Sequence, residues 1–151
     1  MKRRKLWMLL FILYCLCMLH LLFFRPGYDP ALPYARQLKY NLIPFETIVL
    51  FLRALNHSSM GTRNHAVINL AGNVIMFIPL GFLLAALWKP LRKAGKIVSA
   101  TFLIMFPVEL LQMLTLVGSF DTDDLLLNIV GSLLGYLLFR FVQPEKNAGP
   151  H

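Results

Sequence analysis

The sequence predicts an all-α integral membrane protein with four transmembrane helices and one short amphipathic helix on the outer side. The first reason is composition. Alanine, aliphatic, aromatic, methionine and cysteine residues make up 58% of the 151 residues, and charged residues only 15%. Soluble domains have about 45–50% apolar residues, even with glycine counted, and about 25% charged residues. The second reason is that the apolar residues form four long runs, and the third is that basic residues cluster between them.

Each of the four runs is long enough to cross a bilayer. At about 1.5 Å per residue they measure roughly 27–34 Å, against a hydrocarbon core of about 30 Å. The first run is longer than the core of a signal peptide and no small-residue cleavage site follows it, so we interpret it as an uncleaved anchor. Pro79 and Pro107 lie inside the second and third runs and are expected to kink their helices. The predicted spans are 6–24, 66–88, 97–117 and 125–142.

Segment 42–55 predicts a shorter helix that does not cross the membrane. It carries Glu46 and Arg53, and its 14 residues would extend only about 21 Å as a helix. Its apolar residues recur at helical spacing, which is typical of an amphipathic helix, and Pro44 suits a first helical position. The sequence leaves two placements open, one interfacial and one re-entrant.

The distribution of basic residues predicts the orientation. Short loops rich in Lys and Arg lie on the cytoplasmic side of membranes. Residues 2–5 are all basic, four more basic residues lie in 89–96, and none lies in 118–124. We therefore expect both termini on the cytoplasmic side of the membrane. Because this pattern accounts for the net charge of +8, no nucleic-acid partner is expected. The predicted divisions are a basic N-terminus (1–5), a membrane domain (6–142) and a polar cytoplasmic tail (143–151).

The acidic and amide residues within the predicted spans all lie in the outer half of the bilayer. Counting about 1.5 Å per residue from the outer helix ends puts them about 5–12 Å deep. On each span they share one helical face, so we predict that these faces meet in an outward-opening acidic and amide-lined pocket. The candidate ligand-binding residues are Asn69, Asn73, Glu109, Gln112 and Asn128 within the spans, and Asp121 and Asp124 at the mouth.

Structural roles are the alternative for most of these residues. Amide side chains often form hydrogen bonds between membrane helices, and Asp121 and Asp124 could cap a helix N-terminus. Glu109 is harder to explain in this way, because a carboxylate at such depth must be protonated, paired or hydrated. The small residues Gly131 and Gly135 are predicted to let a neighbouring helix approach closely.

Two classes of function are compatible with such a pocket. The first is a non-catalytic envelope protein that binds a lipid-linked or cell-wall-related ligand, with the bilayer as its other partner and no cofactor. The second is an intramembrane enzyme acting on lipid-linked phosphates, in which Glu109, Asp121 and Asp124 would hold a divalent cation, or a transporter of small solutes or ions. The sequence contains no glycine-rich phosphate loop, no nucleophile with a nearby base and no outer-half Arg or Lys, which favours the first class.

Four motifs resemble the VanZ-like family of bacterial membrane proteins over about residues 41–138. They read NLIPF (41–45), NLAGNVIMFIPLGF (69–82), ELLQ (109–112) and DTDDLLLNIVGSLLGY (121–136). The resemblance implies a multi-helix plasma-membrane protein, and links it to a family whose founding members are associated with low-level resistance to teicoplanin-type glycopeptides. It also implies that the recurrent polar positions of the family are the seven candidate residues named above. Many members carry an arginine after the glutamine, whereas the loop here reads Gly118-Ser119-Phe120.

Overall fold

The computed structural model describes residues 2–23, 39–57 and 59–143, and within these ranges it contains five α-helices and two very short strands. Four of the helices are long and apolar enough to cross a membrane. The predicted class, an all-α membrane protein with four spans and one shorter helix, is confirmed. The polar tail beyond residue 143 and the end of the first predicted span at residue 24 lie outside the described ranges. The elements are α1 (Lys2–Phe23), β1 (Tyr40–Asn41), α2 (Glu46–His57), α3 (Met60–Leu87), α4 (Ala94–Leu114), β2 (Phe120–Asp121) and α5 (Thr122–Val142).

Helices α2 and α3 begin at residues other than those predicted. The short helix α2 begins at Glu46 rather than at 42, because the side chain of Asn41 accepts a hydrogen bond from the amide of Ile43 and forms a turn before Pro44. Helix α3 begins at Met60 rather than at 66. Its 28 residues extend about 42 Å, so roughly two turns reach beyond a 30 Å hydrocarbon core. Hydropathy locates the membrane-embedded part of a helix and not its end.

The third span ends earlier than predicted and the fourth begins earlier. Helix α4 stops at Leu114 instead of 117, because the chain turns at Leu116, which has a φ of 61°. In this turn the amide of Gly118 donates to the carbonyl of Gln112 over 3.1 Å. Helix α5 begins at Thr122, directly after the second strand. The turn brings the start of α5 close to the end of α4.

Helices α3 and α5 run parallel and form the tightest helix pair. Gly131 lies against Val74 and Gly135 against Ile78, so residue numbers rise together along both helices. A Cβ atom on either glycine would overlap the backbone carbonyl oxygen of its α3 neighbour. The close backbone approach expected of small residues therefore occurs at this pair.

Helix α1 is antiparallel to α3 and lies at the edge of the bundle. The Trp7 ring contacts Phe82, with ring centroids 5.4 Å apart, and the Tyr14 hydroxyl donates to the Met76 carbonyl over 3.1 Å. That carbonyl lies in the turn before Pro79, next to the carbonyl of Ile75, which has no helical donor because proline lacks an N–H group. Arg3 and Gln143 line one cavity, so both ends of the described chain lie at the same end of the bundle. We call this the basic end, and the opposite one, where α2 and both strands lie, the polar end.

Candidate functional site

The fully buried carboxylate of Asp123 holds the start of α2 at the polar end. One of its oxygens accepts from the amide of Phe45 over 2.5 Å and the other from the amide of Ile48 over 3.0 Å. Phe45 has a φ of 68°, in the left-handed region that bulky residues rarely adopt. Free amides at a helix N-terminus attract negative charge. Asp123 therefore caps a helix that lies far from it in sequence and supports a strained residue there.

Asp121 joins the same structure from the other side. As the N-cap of α5, it accepts from the amide of Asp123 over 2.9 Å. Its second oxygen accepts from the hydroxyl of Thr47 on α2 over 2.7 Å, and that hydroxyl accepts from the side chain of Asn41 over 2.8 Å. The two strands pair in parallel, with Asn41 opposite Asp121, and the hydroxyl of Thr122 donates to the Asn41 carbonyl. The role of Asp121 in these contacts is to cap α5 and fasten α2 to the bundle.

The amide stripe of α3 adjoins the acidic start of α5. Asn73 donates through Nδ2 to a carboxylate oxygen of Asp124 over 2.5 Å. Asn69 lies one turn before Asn73 on α3, and Asn128 lies one turn after Asp124 on α5. The side-chain oxygens of Asn69 and Asn128 are buried and have no hydrogen-bond partner in the part of the chain that the structure describes. An unsatisfied buried acceptor costs about 1–3 kcal/mol, so two of them at one helix pair call for a functional explanation.

Helix α4 contributes Glu109 and Gln112, which are 4% and 3% exposed. Gln112 donates through Nε2 to the carbonyl of Leu22 over 2.8 Å, and this bond satisfies a carbonyl in the last turn of α1. Gln112 is thereby turned towards α1, whereas the Asn73–Asp124 pair lies between α3 and α5. The seven candidate residues therefore share the polar end, but the described contacts place four of them in separate groups: Asp121 in a capping group, Asn73 and Asp124 in an amide–acid pair, and Gln112 in an α1–α4 contact.

An apolar groove runs between α1, α3 and α4 towards the polar end. Its volume is about 240 Å³, and apolar side chains such as Phe11, Phe77 and Met105 dominate its lining. Leu22 and Val108 belong to the same lining. Leu22 accepts the hydrogen bond from Gln112, and Val108 precedes Glu109 in α4. The groove therefore reaches the level of the buried polar residues.

The buried side chains of the polar end offer mainly hydrogen-bond acceptors. The buried polar residues in the described ranges are acids, amides and hydroxyl residues, and none of them is basic. Such a site matches hydroxyl, amide N–H or ammonium groups better than phosphate. In the same ranges, no three His, Cys, Asp or Glu side chains lie close enough together to hold a metal ion. The divalent cation considered for Glu109, Asp121 and Asp124 has no support in this geometry.

Sequence reasoning did not select three residues that the structure makes central to the polar end. Asn41, Thr47 and Asp123 connect α2 to the start of α5. Asn41 opens the NLIPF motif and Asp123 lies within DTDD, so both belonged to segments already singled out. A signal was present for both residues, but the amides that Asp123 binds lie more than seventy positions away.

Comparison with known proteins agrees with the four motifs. The profile of the VanZ/LLP1 family matches residues 11–143, nearly the whole chain. The matched range includes helices α2 to α5, most of α1 and all seven candidate residues. No curated protein and no solved structure is a significant match. The resemblance noted in the sequence is thereby confirmed.

Proposed function

The chain belongs to the VanZ/LLP1 family, and we propose that it is a non-catalytic protein of the bacterial cell envelope that binds a lipid-linked or cell-wall-related ligand. The ligand's polar part contacts the buried acceptors of the polar end, and its hydrocarbon chain lies in the apolar groove. In this proposal the protein resides in the plasma membrane, the basic end faces the cytoplasm, and the polar end lies in the outer leaflet. The basic clusters 2–5 and 89–96 support that orientation.

The unpartnered oxygens of Asn69 and Asn128 carry the proposal. They are hydrogen-bond acceptors at the polar end, towards which the apolar groove runs. A molecule with hydroxyl or amide donors on an alkyl chain satisfies both features at once. A glycopeptide of the teicoplanin type has this combination of a donor-rich head and an acyl chain, so resistance by binding is one form of the proposed function.

The test compares two variants with a matched control. Asn128→Leu keeps the branched shape of the side chain and removes the acceptor, and Glu109→Gln removes the possible charge. Leu126→Ala, two residues before Asn128 on α5, alters neither the acceptor nor the charge. Binding of a teicoplanin-type glycopeptide to protein in lipid nanodiscs is measured with the acyl chain present and absent. We expect both polar variants to weaken binding about tenfold, and Leu126→Ala to leave it within twofold.

The variants also separate a binding role from a packing role. If Asn128 only packed helices, replacing an acceptor without a partner by leucine would be neutral or stabilising and binding would not change. Wild-type affinity in both polar variants would refute the assignment of the acceptors. Equal affinity with and without the acyl chain would refute the role of the groove.

A further inference from the structure

A second cavity lies at the basic end, opposite the proposed ligand site. Its volume is about 520 Å³, and α1, the end of α3, the following loop and the end of α5 contribute to its lining. Among the described residues, four cationic side chains line it and no acidic one does. Trp7 and Trp88 also line it, and Leu87 is part of its apolar wall. The four cations are those of Arg3, Arg4, Lys89 and Arg92.

Contacts with α3 and α5 hold Arg92 in a fixed position. Its Nε donates to the carbonyl of Ala85 over 3.0 Å, and its guanidinium lies 5.0 Å from the centre of the Phe139 ring. The carbonyl of Arg92 accepts from the hydroxyl of Tyr136 over 3.1 Å. A guanidinium that the fold already orients loses less freedom when it binds an anion than one on a flexible surface chain.

The position of the cavity along the bundle limits what it can bind. Tryptophan is enriched where the hydrocarbon of a bilayer meets the headgroups, and Trp7 and Trp88 flank the cavity. The cations therefore lie at headgroup depth, next to the apolar wall at Leu87. Arginine and lysine bind phosphate through charge-assisted hydrogen bonds, and basic pockets between membrane helices bind anionic lipid headgroups.

We propose that this cavity binds the phosphate headgroup of an anionic phospholipid, with the lipid's acyl chains against the neighbouring apolar helix surface. The proposal is independent of the ligand site at the polar end, because none of the seven candidate residues lines this cavity. A bound anionic lipid would also hold α1, the peripheral helix, against the loop between α3 and α4.

The two tryptophans make the site directly measurable. They are the only tryptophans in the chain, and both line the cavity, so their fluorescence reports on lipid bound there. The protein is reconstituted in phosphatidylcholine vesicles with increasing fractions of phosphatidylglycerol whose acyl chains are brominated and quench tryptophan. Repeating the titration with brominated phosphatidylcholine yields the association constant of the anionic lipid relative to the zwitterionic one.

Variants distinguish a defined site from general surface attraction. The double variant Arg4→Gln/Lys89→Gln removes two lining cations and leaves Arg92 and its contacts unchanged. We expect the relative association constant to fall about fivefold for each cation removed. Arg140→Gln removes an exposed charge on α5, which does not belong to the lining, and is expected to change the constant less than twofold.

Three results would overturn the proposal. The first is equal quenching by anionic and zwitterionic lipid in the wild-type protein. The second is an equal loss in Arg140→Gln and in the double variant per charge removed, which would mean a diffuse attraction without a site. The third is loss of the lipid preference in millimolar inorganic phosphate at constant ionic strength, which would assign the cavity to a soluble phosphate compound.

Discussion

Replacing Asp123 by alanine should release α2 from the bundle without unfolding the transmembrane helices. Asp123 connects the start of α5 to the amides of Phe45 and Ile48. The transmembrane helices do not depend on it, because α3 and α5 pack through Gly131 and Gly135 further along the bundle. The variant therefore tests whether the buried acid of the DTDD motif is a structural cap.

The size of the effect follows from the two hydrogen bonds. A hydrogen bond to a charged acceptor contributes about 1.5–3 kcal/mol, and the favourable charge at a helix N-terminus about 0.3–1 kcal/mol more. The bond between Thr47 and Asp121 remains in the variant and keeps part of the attachment. We expect the free energy of local opening of α2 to fall by about 3 kcal/mol, which is roughly a hundredfold in the opening equilibrium.

Hydrogen exchange measured by mass spectrometry on protein in nanodiscs checks this value. The informative amides are those of residues 49–56. The amides of Phe45 and Ile48 lose their own acceptor in the variant, so their faster exchange would not show that the helix opens. Asp123→Asn retains one acceptor oxygen and should give an intermediate rate. Asp124→Asn makes the same change of charge at the next position and alters a hydrogen bond to Asn73 on α3, and we expect α2 to exchange at the wild-type rate. Exchange in Asp123→Ala within threefold of wild type would refute the capping role.

Three further predictions concern the bundle. Gly135→Ala should lower the unfolding temperature in detergent, because the new Cβ would overlap the Ile78 carbonyl. Gly72→Ala, where no atom lies near the new Cβ, should leave the unfolding temperature equal or raise it. Equal effects of the two variants would contradict the close packing of α3 against α5. Tyr14→Phe should cost about 1 kcal/mol and increase exchange in α1, and an unchanged stability would show that its bond to Met76 contributes nothing. In a chain whose two native cysteines are replaced by serine, Lys93→Cys should not be labelled by a membrane-impermeant thiol reagent added to whole cells. Labelling from outside would refute the proposed orientation.

The sequence alone determined the elements and the two chemically different ends of the bundle. Length, hydropathy and charge are properties of a continuous segment, so the four spans and the basic clusters could be located without any contact. The small residues Gly131 and Gly135 and the position of Asn69, Asn73 and Asn128 near one end of their helices could be identified in the same way.

Only the tertiary structure decided what the acids and amides do. Asp123 and Phe45 are 78 positions apart, and Asp121 and Thr47 are 74 apart, so periodicity within a segment carries no information about either pair. Helical spacing likewise predicts one face for Glu109 and Gln112, but the bond from Gln112 to Leu22 depends on where α1 packs. In a sequence, an acidic residue that caps a helix cannot be distinguished from one that binds a ligand. They differ in which donors the fold brings within about 3 Å, and that is a property of packing between helices.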